Sequence, residues 1–243
     1  MKLLLTVIDK SECFNALRAG CDILDIKNPK EGSLGAALPW VISGIKRSVP
    51  ASTRLSIALG DIFYLPGTIA LAVLGAAQFK PDYLKVGLKG VKSKLQTKQL
   101  LSNLVKTTAC SPAPAAKLVA AGYAEYDEIG SIPPVLIPKI AFETGARVAM
   151  VDTFNKNGRS ILEIMPLAEI KRFIDQCHKY RLMAALAGGL TLPEIDIVRQ
   201  SGVDIIGVRG AVCCKNKRTN ALNFKLAVDF SRRVKHAIAA NTH

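Results

Sequence analysis

The sequence predicts an α/β fold, a (β/α)8 barrel, on three observations. Eight short apolar runs recur along its 243 residues, each followed by a stretch of helical period. The spacing is about 30 residues per unit, the size of one strand–helix repeat. The runs are rich in Leu, Ile, Val and Ala on both faces, as parallel strands covered on both sides are. Strict alternation with eight members favours a closed barrel over a doubly wound open sheet, the runner-up. No linker, low-complexity segment or break in composition divides the chain, so residues 1–243 are read as one barrel domain.

The elements follow in order. Leu3–Ile8 leads to a helix over Ser11–Ala19, Asp22–Lys27 to Leu38–Ser48, Arg54–Leu59 to Thr68–Phe79, and Asp82–Gly87 to Leu95–Lys106. In the second half Ala116–Ala121 leads to Ile137–Thr144, Arg147–Asp152 to Pro166–Lys179, Leu182–Ala187 to Thr191–Ser201, and Asp204–Val208 to Asn220–Ile238. Ser11, Pro39 and Thr191 (with Pro193 and Glu194) supply helix-start chemistry. Gly20, Gly145 and Gly202 supply stops just before the next strand.

In such a barrel the working residues lie at the carboxyl ends of the strands and in the loops that follow. Asp25 and Lys27 end the second strand, Asp61 follows the third and Lys85 stands near the end of the fourth. Asp152 ends the sixth, with Lys156 close behind. Residues two apart on a strand share a face, so Asp25 and Lys27 both point into the mouth. Lysines gathered where the dielectric is low are costly to protonate together, which lowers at least one pKa. A neutral lysine is what imine formation with a carbonyl compound requires. The same lysines as cations would hold a phosphate instead, and the residues alone leave both roles open. Gly188 and Gly189 after the seventh strand, and Arg209 and Gly210 after the eighth, are a second signal. Loops at these places bind phosphate through backbone N–H groups, and glycine allows close approach. A small phosphorylated substrate is the expected partner.

Composition excludes other classes. With 49% apolar and 21% charged residues the chain is not disordered. Its longest apolar run, Ile69 to Ala77, is broken by Gly75 and falls short of the roughly 20 residues that span a bilayer. The amino terminus has no room for the apolar part of a signal peptide before Asp9, so no membrane is expected and cytoplasm is the expected compartment. The net charge of +14 raises the question of nucleic acid, and Arg209 to His243 holds eight Lys/Arg against one Asp. Aromatic residues make up only 6%, no nucleic-acid-binding signature is present, and Lys92, Lys94 and Lys98 are scattered as on a solvated helix face. Anionic metabolites explain the charge better. No GxGxxG or GxxxxGK[ST] motif occurs, and His178, His236 and His243 fall in or after helices, away from strand ends. No metal or cofactor is expected. Cys13, Cys21, Cys110, Cys177, Cys213 and Cys214 form no CxxC pair and read as reduced, mostly buried small apolar residues. Trp40 at a helix start reads as packing. Assembly into a homo-oligomer is left open.

The string Asp25-Ile26-Lys27-Asn28-Pro29-Lys30-Glu31-Gly32-Ser33-Leu34-Gly35-Ala36 resembles a specific family. This is the (5-formylfuran-3-yl)methyl phosphate synthases of methanofuran biosynthesis, also called 4-(hydroxymethyl)-2-furancarboxaldehyde-phosphate synthases. The likeness continues through Gly60-Asp61, Pro66-Gly67-Thr68, Leu74-Gly75-Ala76-Ala77 and Asp82 to Leu88. It resumes at Ala120 to Ala124, Ala149 to Thr153, Ala185 to Gly188 and Gly207 to Ala211, and so covers nearly the whole chain. The resemblance implies a TIM-barrel lyase, acting on a carbon–oxygen bond of phosphates, that joins two molecules of glyceraldehyde 3-phosphate into a phosphorylated furan aldehyde. Phosphate and water are released. It implies a Schiff base on Lys27, proton transfer by Lys85, and further active-site positions at Asp25, Asp152 and Lys156, with no metal. In methylotrophic bacteria the product is expected to serve a C1 carrier related to methanofuran. Two stretches depart from the family pattern: Glu125-Tyr126-Asp127-Glu128, expected to alter a loop beside the mouth, and the basic segment after Cys213, expected to concern surface or assembly. Two other readings remain. A class I (Schiff-base) aldolase acting on a phosphorylated sugar would use the same lysine pair, and a basic protein binding RNA or an acidic partner would explain the charge.

Overall fold

The computed structural model describes residues 1–61 and 63–239, without the side chains of 236–239. Parallel strands close into a barrel in chain order: β1 (Lys2–Val7), β2 (Ile23–Ile26), β3 (Leu55–Ala58), β4 (Tyr83–Gly87), β5 (Lys117–Tyr123), β6 (Val148–Asp152), β7 (Met183–Ala187) and β8 (Ile205–Val208). Closure falls to β1, which pairs Leu4 with Ile23 on one side and Lys2 with Ile205 on the other. Around this run α1 (Lys10–Arg18), α2 (Pro39–Ser48), α3 (Pro66–Ala77), α4 (Lys94–Ala109), α5 (Ile137–Thr144), α6 (Ile161–Ile164), α7 (Leu167–Lys179), α8 (Glu194–Gln200) and α9 (Phe224–Ala239). The predicted (β/α)8 barrel is the observed fold.

Side-chain alternation along each strand divides the apolar residues into two clusters. Leu24, Ile26, Leu84 and Val86 pack outward against the helices. Ile23, Tyr83, Val119, Val148, Ala185 and Ile205 fill the amino-terminal part of the barrel. A solid apolar plug therefore lies beneath whatever the carboxyl ends carry. Register is pinned by a repeated device at the opposite end. Asp22, Asp82 and Asp204, each just before a strand, accept the N–H of Leu3, Leu55 and Ala184 at 2.8, 2.9 and 2.8 Å.

Several boundaries differ from expectation. Asp9, not Ser11, caps α1, accepting from Ser11 N at 2.8 Å, because its carboxylate stands one position before the first helical turn. β5 runs on to Tyr123 by pairing with Asp152, so that tyrosine enters the mouth. The short helix α6, with its Ser160–Glu163 capping box, was not foreseen. α9 begins at Phe224, four positions after the expected Asn220, because 3-10 turns at Gly210–Val212 and Cys214–Asn216 and a Cys213–Leu222 bridge take up the chain before it. Trp40 is 69% exposed and packs little, contrary to expectation, since it leaves the first turn of α2 toward solvent. Cys13, Cys177 and Cys213 are buried, Cys21 is half-buried, and Cys110 and Cys214 are exposed. His178 lies on α7, paired with Asp204 at 3.0 Å. The side chain of His236, and all of His243, lie outside the described residues.

Candidate active site

A cavity of about 600 Å³ opens at the carboxyl ends of the strands. Asp25, Lys27, Lys85, Asp152, Lys156, Gly188, Gly189, Arg209 and Gly210, the residues singled out from the sequence, all line it. Its floor is made by strands. The inward positions of β2, β4 and β6 carry Asp25, Lys85 and Asp152, with 0%, 1% and 1% exposure. Lys85 Nζ donates to Asp25 Oδ1 at 2.8 Å, and Thr6 Oγ1 on β1 donates to Asp25 Oδ2 at 2.9 Å. Lys156 Nζ and Thr153 N donate to Asp152 Oδ1 at 2.7 and 2.8 Å. Ser33 Oγ donates to Thr153 O at 2.8 Å and lies 3.3 Å from Asp152 Oδ2. Each carboxylate thus has a lysine of its own. Burial alone would push both acids up, but the amines prevail: Lys85 and Lys27 hold Asp25 below the ordinary range, and Lys156 and Lys27 bring Asp152 to about 2.

Lys27 stands between these two pairs and is 8% exposed. Among the described residues no carboxylate lies within ion-pairing distance of its amine. Burial lowers the amine from an ordinary 10.5 to about 8, with Lys85 adding to the fall and Asp152 opposing it. The main chain delivers it there. Lys27 N still bonds Val7 O at 3.3 Å, extending the ladder past β2, and Asn28 N then bonds Gly35 O at 2.9 Å, closing a tight loop. That loop leaves no room for a side chain at Gly35, where a Cβ would lie 2.2 Å from Asn28 O. Asp61, just past β3, holds it by accepting from Leu34 N at 2.9 Å and also accepts from the Tyr123 hydroxyl.

The wall over β7 and β8 is backbone. Gly188 and Gly189 have φ of 111° and 63°, and a Cβ would fall 2.6 Å from Thr153 Cγ2 or 2.5 Å from Arg159 O. Only glycine fits at either place. The amides of Gly189 and Gly210 meet no main-chain acceptor among the described residues.

Arg209 does something other than what the sequence suggested. Its guanidinium is 7% exposed and forms a two-pronged pair with Glu12 at 2.6 and 3.0 Å. The remaining N–H groups bond Thr6 O at 3.0 Å, Arg218 O at 2.8 Å and Asn220 O at 2.8 Å. A guanidinium has five N–H donors, and here protein acceptors take all of them, so none is left for a phosphate. What Arg209 holds is the chain around Arg218.

Among known families, residues 3–230 match the 4-HFC-P synthases. The chain belongs to the 4-HFC-P synthase family. It is 45% identical over 220 residues to a (5-formylfuran-3-yl)methyl phosphate synthase of Methanosarcina mazei, covering 90% of this chain and 94% of that one. It is 43% identical over 221 residues to the protein of that name from Methanocaldococcus jannaschii, covering 90% and 93%. Among solved structures, a 3-hexulose-6-phosphate synthase superposes with a TM-score of 0.61 at 16% identity, over 96% of this chain and all of that one. A phosphoribosyl anthranilate isomerase of Thermus thermophilus gives 0.65 at 11% identity, over 97% and 99%. At such identities the likeness speaks for the barrel only. Family membership makes the chain an enzyme of synthase type.

Two stretches read as departures from the 4-HFC-P synthase pattern turn out to shape the mouth. Glu125 accepts from Phe154 N at 2.7 Å and Asn155 N at 3.0 Å, so it holds the loop that presents Lys156. The basic segment after Cys213 brings Lys217, Arg218 and Thr219 into the cavity lining, which corrects its assignment to surface or assembly. Sequence reasoning missed Arg218, Glu125, Glu12 and Tyr123. The signal that could have found Arg218 is the charge excess placed directly after the eighth strand. Among the described residues no cluster of three potential metal-ligating side chains occurs, and no helix is long and apolar enough to cross a membrane.

Proposed function

We propose that this chain is a (5-formylfuran-3-yl)methyl phosphate synthase that condenses two molecules of glyceraldehyde 3-phosphate through a Schiff base on Lys27. The reading extends to methanofuran-type cofactor biosynthesis in the cytoplasm. It rests on the buried Lys27 amine, unpaired between two lysine–aspartate pairs and lowered to about 8. An amine so placed has a sizeable neutral fraction near neutral pH and attacks a carbonyl carbon. The iminium formed draws electrons from the neighbouring carbon and eases loss of a proton there. Lys85, bonded to Asp25, moves protons during phosphate elimination, carbon–carbon bond formation and ring closure. Asp152, with Lys156 on its Oδ1, takes part in the same transfers, and Lys156 also offsets phosphate charge. The amides of Gly189 and Gly210, and the backbone at Gly188, receive one substrate phosphate.

The test is borohydride reduction in the presence of glyceraldehyde 3-phosphate. Mass spectrometry finds a reduced adduct on Lys27, absent in Lys27→Ala, while the untreated enzyme develops the ultraviolet absorbance of a furan aldehyde and liberates orthophosphate. An adduct with neither absorbance nor orthophosphate would show an aldolase instead.

A further inference from the structure

We infer that Arg218 binds the phosphate of the second substrate molecule, at a place separate from the glycine amides after β7 and β8. The inference rests on reading the cavity as a site for two triose phosphates, whose charged groups repel each other and need separate donors. A volume of about 600 Å³ exceeds what one such molecule fills. One donor set, Gly189 N, Gly210 N and Lys156, belongs to the side of β6, β7 and β8. Arg218 reaches to the other side.

Its Nη2 donates to Pro29 O and Gly32 O, in the loop that follows Lys27. Among the described residues Nε and Nη1 have no protein acceptor, no carboxylate pairs with the guanidinium, and the half-buried side chain lines the cavity. Asp152 and Asp61 are near enough to act on its charge without forming an ion pair among the described residues, and an incoming dianion meets the three open N–H groups directly. Arg218 is also firmly mounted. Arg209 Nε and Nη2 bond the carbonyls of Arg218 and Asn220 at 2.8 Å each, and the same guanidinium is locked to Glu12. Two arginines in one loop therefore do different work: one has every N–H bonded within the protein, and the other keeps three for a ligand.

Calorimetric titration with glycerol 3-phosphate tests this, because that compound has no carbonyl and reads the phosphate sites without imine formation. The wild-type chain takes two equivalents. Arg218→Ala takes one, with the remaining affinity within threefold, and its KM for furan formation rises at least tenfold. Arg218→Lys, which keeps a charge, recovers the second equivalent at reduced affinity. One equivalent in the wild type, two in Arg218→Ala, or loss of both in that variant overturns the inference. Borohydride trapping on Lys27 is run alongside. Arg218→Ala still forms the adduct; if it lost the adduct together with the second equivalent, Arg218 would only shape the loop and the inference would fall. A wild type that takes two equivalents but forms no adduct would sink the imine reading and leave the Arg218 site standing.

Discussion

The floor of the cavity and its rim differ in how their residues are put in place. On the floor, Asp25, Lys85 and Asp152 reach the interior because strand alternation and parallel register leave them no other direction. On the rim, Arg218 is held by bonds to residues far away in sequence: its side chain reaches Pro29 and Gly32, 189 and 186 positions back. Its own loop is fixed through Glu12, 197 positions from Arg209. The floor carries charges already matched in pairs, whereas the rim carries a cation with donors to spare. Lys27 lies between the two, directly after β2 and without an ion pair among the described residues. The difference teaches that the two are built separately: strands and the residues beside them set the paired charges of the floor, and long-range loop contacts set the open donors of the rim.

That contrast can be broken or sharpened experimentally. The largest effect belongs to the floor. Lys85→Ala lowers furan formation by about 10²–10⁴-fold, the span of a lost proton-transfer group, while the borohydride adduct on Lys27 still forms. Normal turnover in this variant would remove Lys85 from the chemistry. Next comes the anchor of the rim. Arg209→Ala strands the buried Glu12 carboxylate and costs about 3–5 kcal/mol of stability, read by thermal or denaturant unfolding. A variant that kept its stability and lost only substrate affinity would show that Arg209, like Arg218, works on the ligand.

The smallest effect has the opposite sign. The folded pKa of Lys27 lies below its ordinary value, near 8 against 10.5. Between those values the unfolded chain binds the extra proton, so wild-type stability rises with pH across that window. The penalty is fully present below about 8. Lys27→Met is therefore inactive yet more stable at neutral pH, by up to about 3 kcal/mol, and the gap closes as the pH approaches 10.5. In the wild type, formation of the trapped adduct climbs as pH passes through about 8. A Lys27→Met protein that melted below the wild type would contradict a strained amine at this position.

How much of this was legible in the sequence varies with the kind of contact. Asp25, Lys27, Lys85 and Asp152 could be read because each sits at or just short of a strand end, where face and direction follow from local geometry. Gly188 and Gly189 could be placed at the mouth for the same reason. Arg209 was misread: its position after β8 is right for phosphate, but nothing in its neighbourhood announces that Glu12 takes its guanidinium. Tyr123 escaped notice because β5 extends to it only through pairing with Asp152. Glu125 looked like a departure, and its role depends on amides of residues 154 and 155 that no local pattern links to it.

By itself the sequence determined the barrel, the order of its strands and the charged residues on its floor, since periodicity and chain direction are local properties that burial of apolar side chains enforces. Only the tertiary structure decided which cation is fully bonded and which is left open. Hydrogen-bond partners at the rim come from segments brought together by closure of the barrel, and their pairing depends on three-dimensional distance that one-dimensional spacing does not encode.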